Sequence, residues 1–305
     1  MILIVSAIIA CTATGVASEH WAGDASRRAS GVILTLMLFV LVPFESFFNI
    51  ARLHMTSGVG VGIGLAYLAM AIAGSSAWLV ARRGFGLPAA SAATLVCTVI
   101  IANTAYLGLP LSSSLLGSGQ LPAAVAYDTL VGGPMLLFAG FGLGAAFGTR
   151  VGATARERGR AFLLRNPPLL AVVGGLLAPQ TLAPEVLVQA AHVVVYGLLV
   201  LGFYVLGVNL ASAAEHGLLR LAPEQRAPLA SAVALRMALL PAIIGVCSLA
   251  VHLPRAYLLQ AAMPSGINTL IIAHTYGLDL RLASTTIAWS TVVAVVVTIP
   301  AMILL

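Results

Sequence analysis

Along almost its whole length the chain is a succession of apolar stretches, each about as long as a bilayer is thick, joined by short links. The stretches lie near residues 2–18, 30–52, 57–80, 89–116, 122–148, 167–180, 185–211, 228–250, 255–276 and 282–305. A helix rises 1.5 Å per residue and needs about 20 apolar residues to cross a hydrocarbon core of ~30 Å. Ten crossings use most of the 305 residues and leave room only for loops. Charged residues make up 8% of the chain, against about 25% in a soluble domain, so lipid must solvate most of the surface. In hydrocarbon each backbone donor and acceptor has to be satisfied internally, which a helix does within one segment. The expected fold class is an all-α polytopic membrane protein of about ten transmembrane helices. The first stretch has no basic residue ahead of its apolar run, so it reads as a transmembrane helix rather than a cleaved signal.

All fifteen basic residues are arginines, and the net charge is +6. They are scattered among the links rather than gathered on one face, which argues against nucleic acid as a partner. With the N-terminus outside, the cytoplasmic side holds Arg27, Arg28, Arg82, Arg83, Arg150, Arg156, Arg158, Arg160, Arg165, Arg220, Arg226 and Arg281. The outer side holds Arg52 and Arg255, and Arg236 lies inside a span. This bias sets the expected orientation, with both termini periplasmic and the protein in the inner membrane. The longest polar link, TRVGATARERGRAFLLR at 149–165, divides the chain into 1–148, a basic connection at 149–166, and 167–305. Five spans on each side make the halves run in opposite senses, the condition for an inverted repeat.

Enzymatic and cofactor chemistry leave no mark. Cys11, Cys97 and Cys247 fall in apolar spans without disulfide or metal spacing, and the six histidines are dispersed, His192 reading as a packing residue and His274 as interfacial. No phosphate loop, HExxH or Ser-His-Asp pattern is present. The expectation is a non-enzyme with no metal and no cofactor. The glycine runs Gly58, Gly60, Gly62, Gly64 and Gly140, Gly144, Gly148 read as close-packing helix faces.

Two spans carry interruptions. The fourth, AASAATLVCTVIIANTAYLGLPLSSSLLG, holds Asn103, Gly108 and Pro110, and the ninth, PRAYLLQAAMPSGINTLIIAHTYG, holds Pro264, Ser265, Gly266 and Asn268. Proline removes a backbone donor and clashes with the preceding turn. Paired interruptions at corresponding places in two halves point to a transporter binding site. Where a helix breaks at the midplane, the N-terminus of the following half presents free N–H groups and about half a positive charge. Two such ends favour an anion. Asn103 and Asn268 would add donors, with Ser265 a further candidate. Three other polar residues lie within spans: Arg236 as a counter-charge or a lock on helices, and Glu45 and Asp128 as carriers of a coupling proton. Asp128 reads as nearer the outer interface and Glu45 as deeper. With so few deep acids, uncoupled outward movement of anion is the expectation.

IIANTAYLGLPL resembles the fourth-span motif of the auxin efflux carrier family, and ALRMALLPAII followed by AAMPSGINTLIIAHTYG resembles the end of its PIN-type and bacterial members. VPFESFF and RNPPLLAVVGGLL are similar to further segments of that family. The resemblance implies two inverted five-helix repeats whose broken fourth and ninth helices cross and cradle a small organic anion. It further implies elevator-type movement in the bilayer and a homodimer. The short central connection is similar to the compact bacterial branch. The alternatives are a sodium- or proton-coupled symporter of the bile-acid carrier type, or a membrane scaffold or sensor.

The orientation is testable by cysteine accessibility. A cysteine placed at 150–160 should react with permeant but not with impermeant reagents applied from outside, and labelling by the impermeant reagent would overturn the arginine argument.

Overall fold

The computed structural model describes residues 2–51, 60–152, 154–215 and 223–298. Arg52, Gly58 and Arg220 lie outside the described residues. Every element among them is helical, apart from one isolated antiparallel bridge between Ala102 and Ser265. Among the described residues, six helices are long and apolar enough to cross a membrane: Asp24–Phe48, Gly60–Gly84, Ala123–Phe147, Glu185–Ser212, Arg226–Ala250 and Leu280–Val297. Ala89–Ile100 and Pro167–Leu177 are shorter apolar helices. The sixth stretch is therefore a helix of 11 residues, about 17 Å long at 1.5 Å per residue, too short to cross alone. Its start is encoded locally. Asn166 caps it by accepting from Leu169 N at 3.2 Å, and proline stands at the first helical position, where its missing N–H costs nothing.

Four prolines inside spans follow one rule here. Pro43, Pro110, Pro134 and Pro241 each stand two residues beyond a π-helical turn, respectively Met37–Leu41, Thr104–Gly108, Asp128–Gly132 and Leu235–Leu239. A proline ring collides with the carbonyl four residues back. Those residues are Phe39, Tyr106, Leu130 and Met237, each inside the wide turn, where the carbonyl has room to tilt away. The carbonyl freed by Pro134 is not left bare: the Tyr67 hydroxyl donates to Leu130 O at 2.6 Å.

The helices pack in two groups. Ile2–Ala22, 24–51, Pro167–Leu177 and Glu185–Glu215 pack on one another. Gly60–Gly84, both interrupted segments, 121–147, 223–250 and 280–298 form the second. Small residues let the first group close. A Cβ on Gly15 would meet Tyr204 O and lie 2.9 Å from Val208 N, and one on Gly207 would meet Thr12 O and lie 3.0 Å from Val16 N. Without a hydrophobic force between helices in lipid, such close backbone approach is what holds them together. In the second group the glycine run behaves as expected. Gly140 faces Ile101 and Ile272, and Gly144 and Gly148 face Tyr276. Of the other run, Gly62 faces Tyr257, whereas Gly60 and Gly64 face open space.

The basic connection is more than a loop. Thr154 and Glu157 form a reciprocal capping box that starts the helix Ala155–Leu164. Its Arg158, with Arg150, occupies the carbonyl ends of neighbouring helices: Arg158 donates to Ala146 O, and Arg150 donates to His274 O at 2.6 Å. Cations at helix C-termini also meet the negative end of the helix dipole.

The contacts at Gly207 give a direct stability test. Gly207→Ala should lower the detergent melting temperature by an amount equivalent to about 1–3 kcal/mol of overpacking. Gly197→Ala, on the same helix but with nothing within 4 Å of its Cβ, should leave it unchanged.

Candidate functional site

The fourth stretch runs as the helix Ala89–Ile100, opens at Ile101, Ala102 and Asn103, and resumes helically at Thr104. The ninth runs as Arg255–Ala261, opens through Pro264, Ser265 and Gly266, and resumes as Asn268–Tyr276. The two openings satisfy each other. Asn103 N donates to Pro264 O at 2.8 Å, and Gly266 N donates to Ile101 O at 2.7 Å. Glycine is required at 266 because a Cβ there would sit 2.8 Å from Ala102 O. The first opening spans 101–103, not Gly108–Pro110. Gly108 and Pro110 belong to the helical segment that follows, where Gly108 packs face-on against Gln260 and Met263.

Arg236, within the π turn Leu235–Leu239, is completely buried. Its guanidinium donates to Met263 O at 2.7 Å, Val99 O at 3.0 Å and Ala261 O at 2.9 Å. These carbonyls end the first half of each interrupted helix. Each helix C-terminus carries about half a negative charge, so two of them match one guanidinium. Arg236 thus joins the two interruptions and does not snorkel to an interface. Ser265 is also consumed internally, donating to Thr98 O at 2.7 Å while its N–H donates to Ser290 Oγ at 3.1 Å.

The resumed halves face a cavity of about 620 Å³ between the two helix groups. Asn103, Thr104, Asp128, Gly266 and Asn268 line it from one group, and Glu45 and Ser46 from the other. Gly108, Pro264, Ser265 and Arg236 are not among its described lining residues, and the side chain of Pro110, like that of His192, lies outside those described. Asp128 sits at the depth of the breaks rather than near an interface, because Thr104 Oγ1 donates to its Oδ1 at 2.5 Å. Asn103 is 2% exposed, and neither its amide nitrogen nor its amide oxygen has a protein partner. Asn268 Oδ1 is likewise buried and unpartnered. Elsewhere the wall is apolar, with Val42, Leu137, Phe138, Leu169, Val172 and Leu176. No arginine or histidine occurs among the described lining residues, and the chain contains no lysine.

Sequence reasoning passed over Thr104, Tyr67, Pro134 and Asn166. Pro134 was the visible signal, a further mid-span proline in VGGPML. Asn166, fully buried, bridges the short helix to 121–147 by donating to Leu137 O at 2.9 Å.

Among known families, the model described as Membrane transport protein matches residues 164–303. That stretch, which contains Arg236 and the whole second interrupted segment, belongs to this family of transporters. The protein is a multi-pass membrane transporter. More particularly, the match is to the auxin-efflux-carrier and PIN-like kind of membrane transport that the motifs resemble. No curated protein matches the chain.

Removing the guanidinium strands three buried carbonyls, each costing about 1–3 kcal/mol when unsatisfied. Arg236→Ala should therefore abolish cooperative thermal unfolding or lower its midpoint sharply, with Arg236→Lys intermediate. A melting curve like wild type for Arg236→Ala would show that the contacts hold nothing.

Proposed function

We propose that the protein carries small organic anions across the inner membrane, binding a carboxylate where the two resumed helices begin. The observation that carries this reading is Asn103: a buried amide with both polar atoms unpartnered, standing against the cavity at the start of a half-helix. A buried polar group without a partner costs about 1–3 kcal/mol, and a ligand that supplied the partner would recover it. Asn268 offers a second amide at the other half-helix. Two half-helix N-termini, each about half a positive charge, favour an anion in a wall with no cationic side chain among its described residues. Arg236 neutralises the opposite, negative ends, so it serves as support rather than as a substrate ligand.

The substrate class follows from the wall. The breaks contribute Asn103, Thr104 and Asn268, and most of the remaining lining is aliphatic or aromatic, which suits a monocarboxylate with an apolar body better than a short dicarboxylate. A volume of about 620 Å³ is in the range of sites for sizeable ligands, about 300–1,000 Å³.

The transport mode is an elevator. The cavity is walled by both helix groups, and both breaks belong to one of them, so sliding that group would carry the anion with it. The reading includes ten spans as two inverted repeats, 1–148 and 167–305, with both termini periplasmic.

Calorimetry on the purified protein tests the site with benzoate, malonate and the neutral benzamide. Benzoate should bind, and malonate and benzamide should bind far more weakly. Asn103→Ala and Asn268→Ala should each weaken benzoate by about 1–3 kcal/mol without lowering the melting temperature. Unaltered benzoate affinity in both variants would move the site elsewhere.

A further inference from the structure

Charge balance in the cavity leads beyond an anion site, resting on the reading just given. Two half-helix N-termini supply together about one positive charge, which one bound carboxylate uses up. Asp128 and Glu45 line the same cavity, and no described lining residue is cationic. At about 6 Å and an effective dielectric constant of about 20, a second carboxylate would reduce occupancy by an anion roughly a hundredfold.

We propose that Asp128 takes up one proton as the anion binds, so that substrate and proton cross together and Asp128 is the coupling residue. The proton comes from water on the side of entry and is released to water on the other side, leaving the carboxylate as it began.

Position selects Asp128 over Glu45. Asp128 accepts from Thr104, the first residue after a break, at 2.5 Å, and therefore belongs to the group that carries both breaks. Glu45 stands on 24–51, which packs on Pro167–Leu177 and Glu185–Glu215 in the other group. A group that couples proton to substrate has to travel with the substrate.

The surroundings offer few competing charges. From Gly60–Gly84, Tyr67 faces the same turn, with its hydroxyl committed to Leu130 O at 2.6 Å. From Arg255–Ala261, Tyr257 stacks edge-on against Tyr127 with ring centroids 5.3 Å apart. Thr104–Gly108 carries Tyr106, whose side chain lies outside those described. Across the cavity is Glu45, and Arg236 is engaged with carbonyls of the breaks.

The test is benzoate binding to the purified full chain in weak buffer, with a pH-indicator dye reporting proton uptake. Wild type should take up about one proton per benzoate bound, and its affinity should fall by up to about tenfold per pH unit as pH rises from about 6 to about 8. Asp128→Asn, which keeps an oxygen for Thr104, should bind without proton uptake and without pH dependence. At about pH 8 it should bind more tightly than wild type by up to about a hundredfold, a gain that a merely structural Asp128 would not produce. Benzoate binding by wild type with no proton uptake overturns the proposal, whatever the variant does. Uptake kept in Asp128→Asn and lost in Glu45→Gln overturns it by transferring the role to Glu45. Binding that requires sodium in place of the proton also overturns it. Failure of benzoate to bind at either pH, in contrast, removes the anion reading on which the proposal rests.

Discussion

Hydrocarbon offers no partner to a backbone N–H or C=O, and this molecule opens two helices inside it. The openings at 101–103 and 264–266 are tolerable because each supplies what the other lacks: an N–H from Asn103 for Pro264 O, and an N–H from Gly266 for Ile101 O. Much else is arranged around that short antiparallel contact. Gly266 lets the backbones approach, Ser265 turns its hydroxyl back to Thr98 O, and the cavity lies against the helices that start again on the far side.

Charge is sorted by the same arrangement. Every broken helix has a negative end before the gap and a positive one after it. Arg236, on a third helix, collects the negative ends of both, through Val99 O on one side and Ala261 O and Met263 O on the other. A buried guanidinium would be costly alone, and two helix C-termini make it affordable in place. The positive ends are left facing the cavity, where Asn103 and Asn268 stand with unpartnered amide atoms. A site for an anion can in this way be built from backbone and amides, with no cationic side chain among the described lining residues.

The two helix groups close by different means. In the first, Gly15 and Gly207 bring Ile2–Ala22 and Glu185–Glu215 into backbone contact. In the second, Gly140, Gly144 and Gly148 admit the helix Asn268–Tyr276, while π turns accommodate three in-span prolines, Pro110, Pro134 and Pro241. The cavity sits where neither group fills the space between them, which is why its wall draws one acid from each.

Hydropathy and proline placement in the sequence suffice for the helical class, the apolar segments and the two interrupted spans, because hydrocarbon penalises any other use of such stretches. They suffice also for Asn103, Gly266 and Asn268, which lie within three residues of a break and share the cavity. Composition cannot fix which residue does what across the gap. Gly108 and Pro110 look like the break and are not, because a π turn absorbs that proline while the chain opens earlier, where Pro264 O can reach it. Asp128 looks interfacial when residues are counted along its own span, yet the pairing with Thr104 draws it to the depth of the breaks. Arg236 reads as a counter-charge to substrate or as a lock on helices, until three carbonyls from two other segments surround it. These assignments rest on contacts between residues 24 to 167 positions apart. Local pattern carries no record of such distances, so only the tertiary structure decides them.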